Sequence, residues 1–355
     1  MIEYIVVGLG LAGLSFCECL ERDGKSFRVI SDHSQNASRV AGGLYNPVIL
    51  KRFTLAWQAD TQLKSALPFY GGLGQKLRGQ WDQKLPVYRR FASIEEQNGW
   101  FQAADRPRLQ PFLSTHIHQN KNPGIHAPFG FGEVLGTGKV HTAALLDAYT
   151  SYLDAADGLI KKTFAHDRLE IREGYVKYGD IKARNIVFAE GYGLKQNPYF
   201  NYLPLLGTKG ELLTIEAPAL KEKRIIKSSV FAIPLGNDLY QVGATYKWKD
   251  KTDRPTLEAR EELLQKMETF MTCGYKVVDQ VAGIRPTVTD RRPLVGTHPQ
   301  HGNLHILNGF GSRGVLIAPM ASRALYDNIE RNTPLPEEMD IRRFAKKWEH
   351  SQRHV

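Results

Sequence analysis

Cysteine is scarce in this sequence, with only three cysteines among 355 residues. Cys17 and Cys19 lie two positions apart in a predicted helix, so they point to different faces, and Cys273 stands alone. An odd number of cysteines without a regular framework predicts neither disulfides nor a metal site. It also indicates a reducing compartment.

Long hydrophobic runs are also missing. The apolar start over residues 5–20 contains three glycines and follows Glu3. It lacks the basic segment and the cleavage site of a signal peptide. We therefore expect no membrane insertion and a cytoplasmic location.

Acidic residues are outnumbered, because 37 Asp and Glu stand against 47 Lys and Arg and leave a net charge of +10. Such an excess favours anionic partners such as phosphates, RNA, anionic substrates or an anionic surface. A soluble enzyme with a basic surface would show the same excess, so charge alone identifies no partner. The length exceeds the roughly 250–300 residues at which one core stops growing, which predicts two lobes.

The N-terminus carries a glycine motif in a specific context. Gly8, Gly10 and Gly13 follow a predicted buried strand over residues 2–7 and open a predicted helix, and Asp32 follows the next predicted strand. The first glycine allows a tight turn, the second lets a pyrophosphate approach the backbone, and the third lets helix and strand pack closely. The free N–H groups of the helix start, including those of Leu11 and Ala12, would face the phosphates, and Asp32 would bind the ribose hydroxyls.

This motif predicts one dinucleotide site, and a structural turn without a ligand is the alternative. The motif alone does not distinguish FAD from NAD. Glycine-rich stretches at residues 71–74 and 130–136 follow no predicted strand, so we find no second site of the kind that a flavoprotein disulfide reductase needs for NAD(P)H.

The rest of the chain predicts an α/β (α+β overall) fold, in which a Rossmann-like dinucleotide domain is interleaved with an antiparallel-sheet substrate domain. Turn residues between short β-rich stretches at 203–246 indicate the antiparallel sheet. The predicted ranges are 1–50, 136–200 and 279–332 for the dinucleotide domain, 51–135 and 201–278 for the substrate domain, and 333–355 for a basic C-terminal extension.

Two further motifs lie near the C-terminus. Gly283-x-Arg285-Pro286 is followed by a second glycine turn, Gly309-x-Gly311-x-x-Gly314, after a predicted strand. Together with the first motif and the loop at Gly42–Pro47, they resemble the D-amino acid oxidase-like FAD family, which includes glycine oxidase and sarcosine oxidase. The sequence is also similar to the oxidase half of the bifunctional enzyme that matures 5-carboxymethylaminomethyl-uridine in the tRNA wobble position.

The resemblance implies non-covalently bound FAD and oxidation of the C–N bond of an amino acid or amine by hydride transfer to the flavin. It implies that Arg285 binds a substrate carboxylate, although a structural pair between Arg285 and Asp290 is the alternative. Arg313 would stabilise negative charge on the reduced ring. Tyr246 is a further candidate at the catalytic site, and Phe231 and Tyr45 are candidates for the pocket. The predicted cofactor-binding residues are Gly8, Gly10, Leu11, Ala12, Gly13, Asp32, Gly43, Val176, Gly191, Gly311, Ser312 and Gly314.

Two departures from the family pattern bear on the chemistry. Sarcosine oxidases attach their flavin through a cysteine near this region, and Cys273 does not match its position. The lysine that activates oxygen in those enzymes is matched here by Gln241. The electron acceptor therefore stays open between oxygen and another oxidant.

Three other functions stay open beside an amine or amino-acid oxidase. The chain could act on a glycine-like group of a modified tRNA wobble uridine, with phosphates contacting the pairs Lys51-Arg52, Arg342-Arg343 and Lys346-Lys347. Solvated faces are the plainer explanation of those pairs. A non-catalytic flavin-binding protein and a nicotinamide-dependent dehydrogenase are the remaining alternatives, the latter disfavoured by the C-terminal motifs.

Overall fold

The computed structural model describes residues 1–353 and contains two large sheets, each of eight strands, together with smaller sheets of three and two strands. The helices are α1 Leu11–Arg22, α2 Ala37–Val40, α3 Ala59–Lys76, α4 Ile94–Ala104, α5 Thr142–Ala155, α6 Leu257–Glu268, α7 Gly314–Arg331 and α8 Ala345–Gln352.

The strands follow the chain in an order that interleaves the two large sheets. They are β1 Ile2–Val7, β2 Phe27–Ile30, β3 Leu44–Tyr45, β4 Val48–Ile49, β5 Thr54–Leu55, β6 Asp82–Lys84, β7 Val87–Arg90, β8 Leu113–His118, β9 Phe131–Val134, β10 Gly138–Val140, β11 Leu159–Ile160, β12 Leu169–Arg172, β13 Tyr175–Tyr178, β14 Ile181–Phe188, β15 Thr208–Glu216, β16 Ile225–Lys227, β17 Phe231–Gly236, β18 Leu239–Gly243, β19 Lys276–Arg285, β20 Leu294–Thr297 and β21 Leu304–Asn308.

The first large sheet is built around β1, which lies between β2 and β14 and runs parallel to both. β21 extends the parallel part along β14, and β12, β13 and β20 add antiparallel strands. The last four residues of β1 are buried, as expected for a strand covered on both faces. α1 and α7 pack against each other beside this sheet. The carboxyl ends of β1, β2, β14 and β21 therefore meet at one edge, where open α/β sheets bind their ligands.

The second large sheet has the strand order β19-β15-β18-β17-β16-β7-β9-β8 and is antiparallel except for the pair of β16 and β7. A hairpin joins β17 and β18 within the stretch at 203–246 that was predicted to form antiparallel sheet. Its turn residues Asn237 and Asp238 have φ angles of 50° and 59°, which is the left-handed conformation that a tight hairpin turn requires. The predicted α/β architecture with an antiparallel second sheet is thus confirmed.

Among the elements not predicted from the sequence are α3 and β19. α3 contains Pro68 and three glycines, so its composition disguises an 18-residue helix. β19 is ten residues long and belongs to the antiparallel sheet, although the predicted domain boundary falls inside it at residue 279. We keep the two-domain division as a proposal and move this boundary to follow Arg285.

The core consists of one large and two smaller clusters of buried apolar side chains. α6 begins at a good cap, since the Thr256 hydroxyl accepts a hydrogen bond from the Ala259 N–H. Between residues 1 and 353, no helix combines the length and apolar character that crossing a membrane requires.

Candidate functional site

A cavity of about 660 Å³ lies where the carboxyl edge of the first sheet meets the inner face of the second. The first glycine turn (residues 8–13) and the second glycine turn (residues 309–314) both contribute to its lining. Of the predicted site residues, those lining it are Gly8, Gly10, Leu11, Ala12, Asp32, Gly43, Gly191, Tyr246, Arg285, Gly311, Ser312, Arg313 and Gly314. The fold therefore brings together residues that are more than 300 positions apart in sequence.

The first glycine turn leaves no room for side chains. Gly8 has a φ of +96°, and a Cβ placed there would lie 2.5 Å from the Ala189 carbonyl oxygen. At Gly10 a Cβ would face the Ser38 hydroxyl at 3.0 Å. Gly13 does not line the cavity, and a Cβ there would lie 2.0 Å from the Gly8 carbonyl oxygen. Gly13 thus serves the close packing of α1 on the turn.

Asp32 is held ionised beside this turn. Its carboxylate accepts hydrogen bonds from the Ser34 N–H at 2.9 Å and the Thr163 hydroxyl at 2.8 Å. Partial burial opposes the charge, but these hydrogen bonds prevail and leave the pKa of Asp32 below its ordinary value. The remaining lone pairs can accept hydrogen bonds from a ligand hydroxyl.

A partly buried arginine without a complete set of partners lies at the second glycine turn. Arg313 precedes α7, its Nη2 donates to the Asn46 carbonyl oxygen at 2.9 Å, and its buried Nε has no acceptor. Burial lowers the pKa of Arg313 to about 10. An orphaned charged donor beside a helix N-terminus fits an electron-rich ligand group that accepts this hydrogen bond.

Arg285 lies on the wall formed by the second sheet. Its guanidinium extends over Gly210, where a Cβ would lie 1.9 Å from Nη2. Nη1 donates to the Thr245 carbonyl oxygen at 3.2 Å, and the Tyr246 ring centroid lies 5.3 Å from Cζ. Burial lowers the pKa of Arg285, with Tyr246 acting in the opposite direction. The alternative pairing with Asp290 is wrong, because Arg343 forms the ion pair with Asp290 at 2.9 Å.

Two other sequence-based assignments are corrected by the structure. Val176 is fully buried in the core and does not line the cavity, where Thr163 and Phe164 stand instead. Tyr45 is buried away from the cavity and donates to Asp82 at 2.7 Å, whereas Phe231 does line it.

The side chains of Arg342 and Arg343 are both engaged within the protein, so the two residues do not offer a free pair of cations to phosphates. Arg342 binds Asp340, and Arg343 binds Asp290 and three carbonyl groups of the chain.

The lining of the cavity has a strong excess of positive charge, since it includes eight Lys and Arg residues and two acids, Asp32 and Glu190. Glu190 is itself engaged by His166 at 2.8 Å and by Asn197 at 2.7 Å. Lys227 is among the cations that were not predicted from the sequence. Its strand, β16, is three residues long and gives no periodic signal. The site as a whole suits an anionic ligand.

Comparison with known proteins places these features in context. The family model described as FAD dependent oxidoreductase matches residues 3–327. A tRNA 5-methylaminomethyl-2-thiouridine biosynthesis bifunctional protein from Azoarcus sp. is 30% identical over 386 residues, which cover 95% of this chain and 58% of that protein. A glycine oxidase from Bacillus subtilis is 26% identical over 219 residues, covering 57% of this chain and 59% of its own.

Solved structures show the same fold. A glycine oxidase from Bacillus cereus superposes with a TM-score of 0.77 at 17% identity, covering 94% of this chain and 96% of its own. The chain thus spans somewhat more than half the length of the Azoarcus protein and of the Bacillus subtilis glycine oxidase, at 58% and 59%.

Proposed function

Because the chain belongs to the FAD dependent oxidoreductase family and is an FAD-dependent enzyme, we propose that it oxidises the C–N bond of a small amine or amino acid that carries a carboxylate. The observation that carries this proposal is Arg285, a guanidinium that faces the cavity and has only a carbonyl oxygen as its hydrogen-bond partner in the described chain. A guanidinium in that state is suited to grip a carboxylate with two parallel hydrogen bonds.

The residues of the cavity fit FAD. The first glycine turn and the start of α1 would hold the pyrophosphate, Asp32 the ribose, and Arg313 with the start of α7 the electron-rich edge of the ring. Bound FAD supplies an isoalloxazine ring that accepts two electrons and a hydrogen from a carbon next to nitrogen. Among the described residues that line the cavity there is no cysteine, so none of them can form a cysteinyl bond to the flavin.

The protein's own part in the reaction is binding and positioning. Arg285 would fix the carboxylate, and thereby the neighbouring carbon and nitrogen, against the wall of the second sheet. Neither lining acid is free to act as a base at this place, since Asp32 and Glu190 are engaged elsewhere. The substrate would therefore react as the neutral amine, and its product imine would be hydrolysed by water. Rate enhancement would come from alignment and from the positive field of the cavity.

The first test is flavin reduction without oxygen. The purified protein should be yellow, and one of glycine, N-methylglycine, proline or a D-amino acid should bleach its flavin band. We expect Arg285→Lys to raise the half-saturating substrate concentration by about 10- to 100-fold, since an ammonium cannot form the two parallel bonds. Arg184→Met, an exposed substitution on β14, is the control and should behave as the native protein.

Two results would contradict this proposal. A native-like response of Arg285→Lys would remove the role of the guanidinium. A yellow protein whose flavin no amine reduces would favour a non-catalytic flavin-binding role instead.

A second candidate substrate is a glycine-like group on a modified tRNA wobble uridine. The similarity to the Azoarcus bifunctional protein supports it, together with the exposed pair Lys51 and Arg52, of which Lys51 lines the cavity, and Lys346 and Lys347 on α8. We expect tRNA affinity to fall on the order of 10³-fold between roughly 50 and 200 mM salt if about six phosphates are contacted. Lys51→Ala with Arg52→Ala should then reduce the slope against log salt by about 2.

The measurement is a titration of tRNA at several salt concentrations, followed by anaerobic flavin reduction with tRNA that carries the 5-carboxymethylaminomethyl group. Unmodified tRNA is the control. Weak binding with no salt dependence, or no flavin reduction by the modified tRNA, would leave a small amine as the substrate.

Location and electron acceptor belong to the same proposal. Cys17, Cys19 and Cys273 are all free thiols, which supports the cytoplasm. Gln241, at the position of the oxygen-activating lysine, supports an acceptor other than oxygen. Stopped-flow mixing of the reduced protein with oxygen would decide this point.

A further inference from the structure

Lys227 is a cation of the cavity to which the proposed function gives no role. Its ammonium donates to the Ser229 carbonyl oxygen at 3.2 Å and lies 4.6 Å from the centre of the Phe231 ring. Burial lowers the pKa of Lys227 to about 8, and the nearby charges that act on it, Arg89 and Lys266, are both positive. Within residues 1–353, no carboxylate compensates this ammonium.

The neighbouring cations do have carboxylate partners. Arg89 pairs with Glu96, and Lys266 pairs with Glu262. An uncompensated charge in a half-buried position is costly, and the cost is relieved when a ligand supplies the opposite charge. Lys227 therefore has the properties of an anion-binding group rather than of a structural one.

The strand register places Lys227 and Arg285 on the same face of the second sheet. Residues directly opposite each other on neighbouring strands point to the same face. The register pairs Lys227 with Phe231, Phe231 with Gly243, and Gly243 with Leu212. All four line the cavity. Two residues before Leu212 is Gly210, over which the Arg285 guanidinium lies.

The spacing between the two cations follows from this register. The strands that bear Lys227 and Gly210 are three strand spacings apart, or about 14 Å. The lysine leans towards Phe231, which brings its ammonium to the order of 10 Å from the guanidinium. Between them the wall is formed by Phe231, Gly243 and Leu212, which offer an apolar surface and no charge.

We propose that Lys227 and Arg285 bind the two ends of one substrate, an N-substituted glycine whose nitrogen substituent ends in a second anionic group, either a carboxylate or a phosphate. The proposal rests on the function proposed above and names its substrate class. Arg285 holds the glycine carboxylate, the oxidised C–N bond lies next to it, and the substituent crosses the apolar wall to Lys227. Along that path the Leu212 side chain packs over Gly243, where an added Cβ would lie 2.9 Å from it, so the substituent would lie on this apolar pair.

The test uses the FAD-loaded full chain and a series of substrates of increasing length. The dianions are iminodiacetate, N-carboxymethyl-β-alanine, N-carboxymethyl-γ-aminobutyrate and the phosphate ester of N-(2-hydroxyethyl)glycine. N-methylglycine and N-propylglycine are their singly charged counterparts. The measured quantity is the limiting rate of anaerobic flavin reduction divided by the half-saturating concentration.

We expect the native protein to prefer the longer dianions over N-propylglycine by about 10- to 100-fold, the effect of one charged hydrogen bond. In Lys227→Met this preference should fall to near parity, and Lys227→Arg should retain most of it. Lys223→Met, an exposed lysine four positions away, is the matched control and should keep the native preference. Comparison of the carboxylate and phosphate arms shows which anion Lys227 takes.

The possible failures are distinguishable. If N-methylglycine reduces the flavin but no dianion is preferred, or if Lys227→Met keeps the preference, the assignment of Lys227 is wrong and the proposed function stands. If no compound of the series reduces the flavin but glycine, proline or a D-amino acid does, the substrate class is wrong and the proposed function stands. If none of these amines reduces it, the proposed function itself fails.

Discussion

At the scale of single residues, Gly210 shows how a missing side chain makes room for a functional one. The guanidinium of Arg285 occupies the space that a Cβ of Gly210 would need, with Nη2, Cζ and Nη1 at 1.9, 2.1 and 2.2 Å from it. The backbone of Gly210 is extended, a conformation that any residue can adopt. A side chain is excluded at this position only because the Arg285 guanidinium lies over it.

We therefore expect Gly210→Ala to act on substrate binding more than on folding. The new methyl group would displace the mobile end of Arg285, raising the half-saturating concentration of a carboxylate substrate at least about 10-fold. The free energy of unfolding should stay within about 0.5 kcal/mol of the native value. Flavin titration with substrate and urea unfolding provide the two measurements.

Gly72→Ala is the control for this substitution, since Gly72 lies in α3 with no atom within 4 Å of an added Cβ. It should leave substrate binding as it is in the native protein. Native-like binding in Gly210→Ala would show that the position of Arg285 does not depend on this gap.

At the scale of elements, local patterns predict some parts of the fold and fail on others for identifiable reasons. β1, the first glycine turn and α1 were predictable because the turn, the helix start and the packing each demand glycine at a fixed spacing. The hairpin of β17 and β18 was predictable because its turn residues are of the required type.

The failures concern partners that are distant in the chain. The alternating residue pattern of β13 indicates a strand. It does not reveal that Val176 faces the core, nor that Thr163 and Phe164 line the cavity instead. The three residues of β16 pair with β7, about 140 positions earlier, as well as with β17, where Lys227 lies opposite Phe231 at the cavity. Tertiary contacts of this kind leave no periodic trace in the sequence.

At the scale of the whole molecule, two buried imidazoles link stability to pH. His305 is fully buried between Thr297 and Asn185, at 2.9 and 3.1 Å from its ring nitrogens, and burial lowers its pKa to about 3. Burial, helped by His301, lowers the pKa of His298 to about 4. Both rings are therefore neutral in the folded protein near pH 7.

The unfolded chain binds protons at these residues first as the pH falls below about 6.5, the ordinary pKa of histidine. Their contribution to stability is thus complete above pH 6.5 and is lost progressively as the pH falls towards 4 and then 3. At pH 5.5 each would already have lost about 1.4 kcal/mol. Carboxylates add their own dependence, so the histidine part must be isolated by substitution.

We expect the native protein to lose at least about 3 kcal/mol of unfolding free energy between pH 7.5 and 5.5, and His305→Gln to lose about 1.4 kcal/mol less. Glutamine can still donate to Asn185 and accept from Thr297, but it does not titrate. Urea unfolding at the two pH values measures both changes, with His116→Gln as the exposed control that should follow the native protein. An equal loss in His305→Gln and the native protein would mean that the His305 ring takes up a proton in the fold, contrary to its burial.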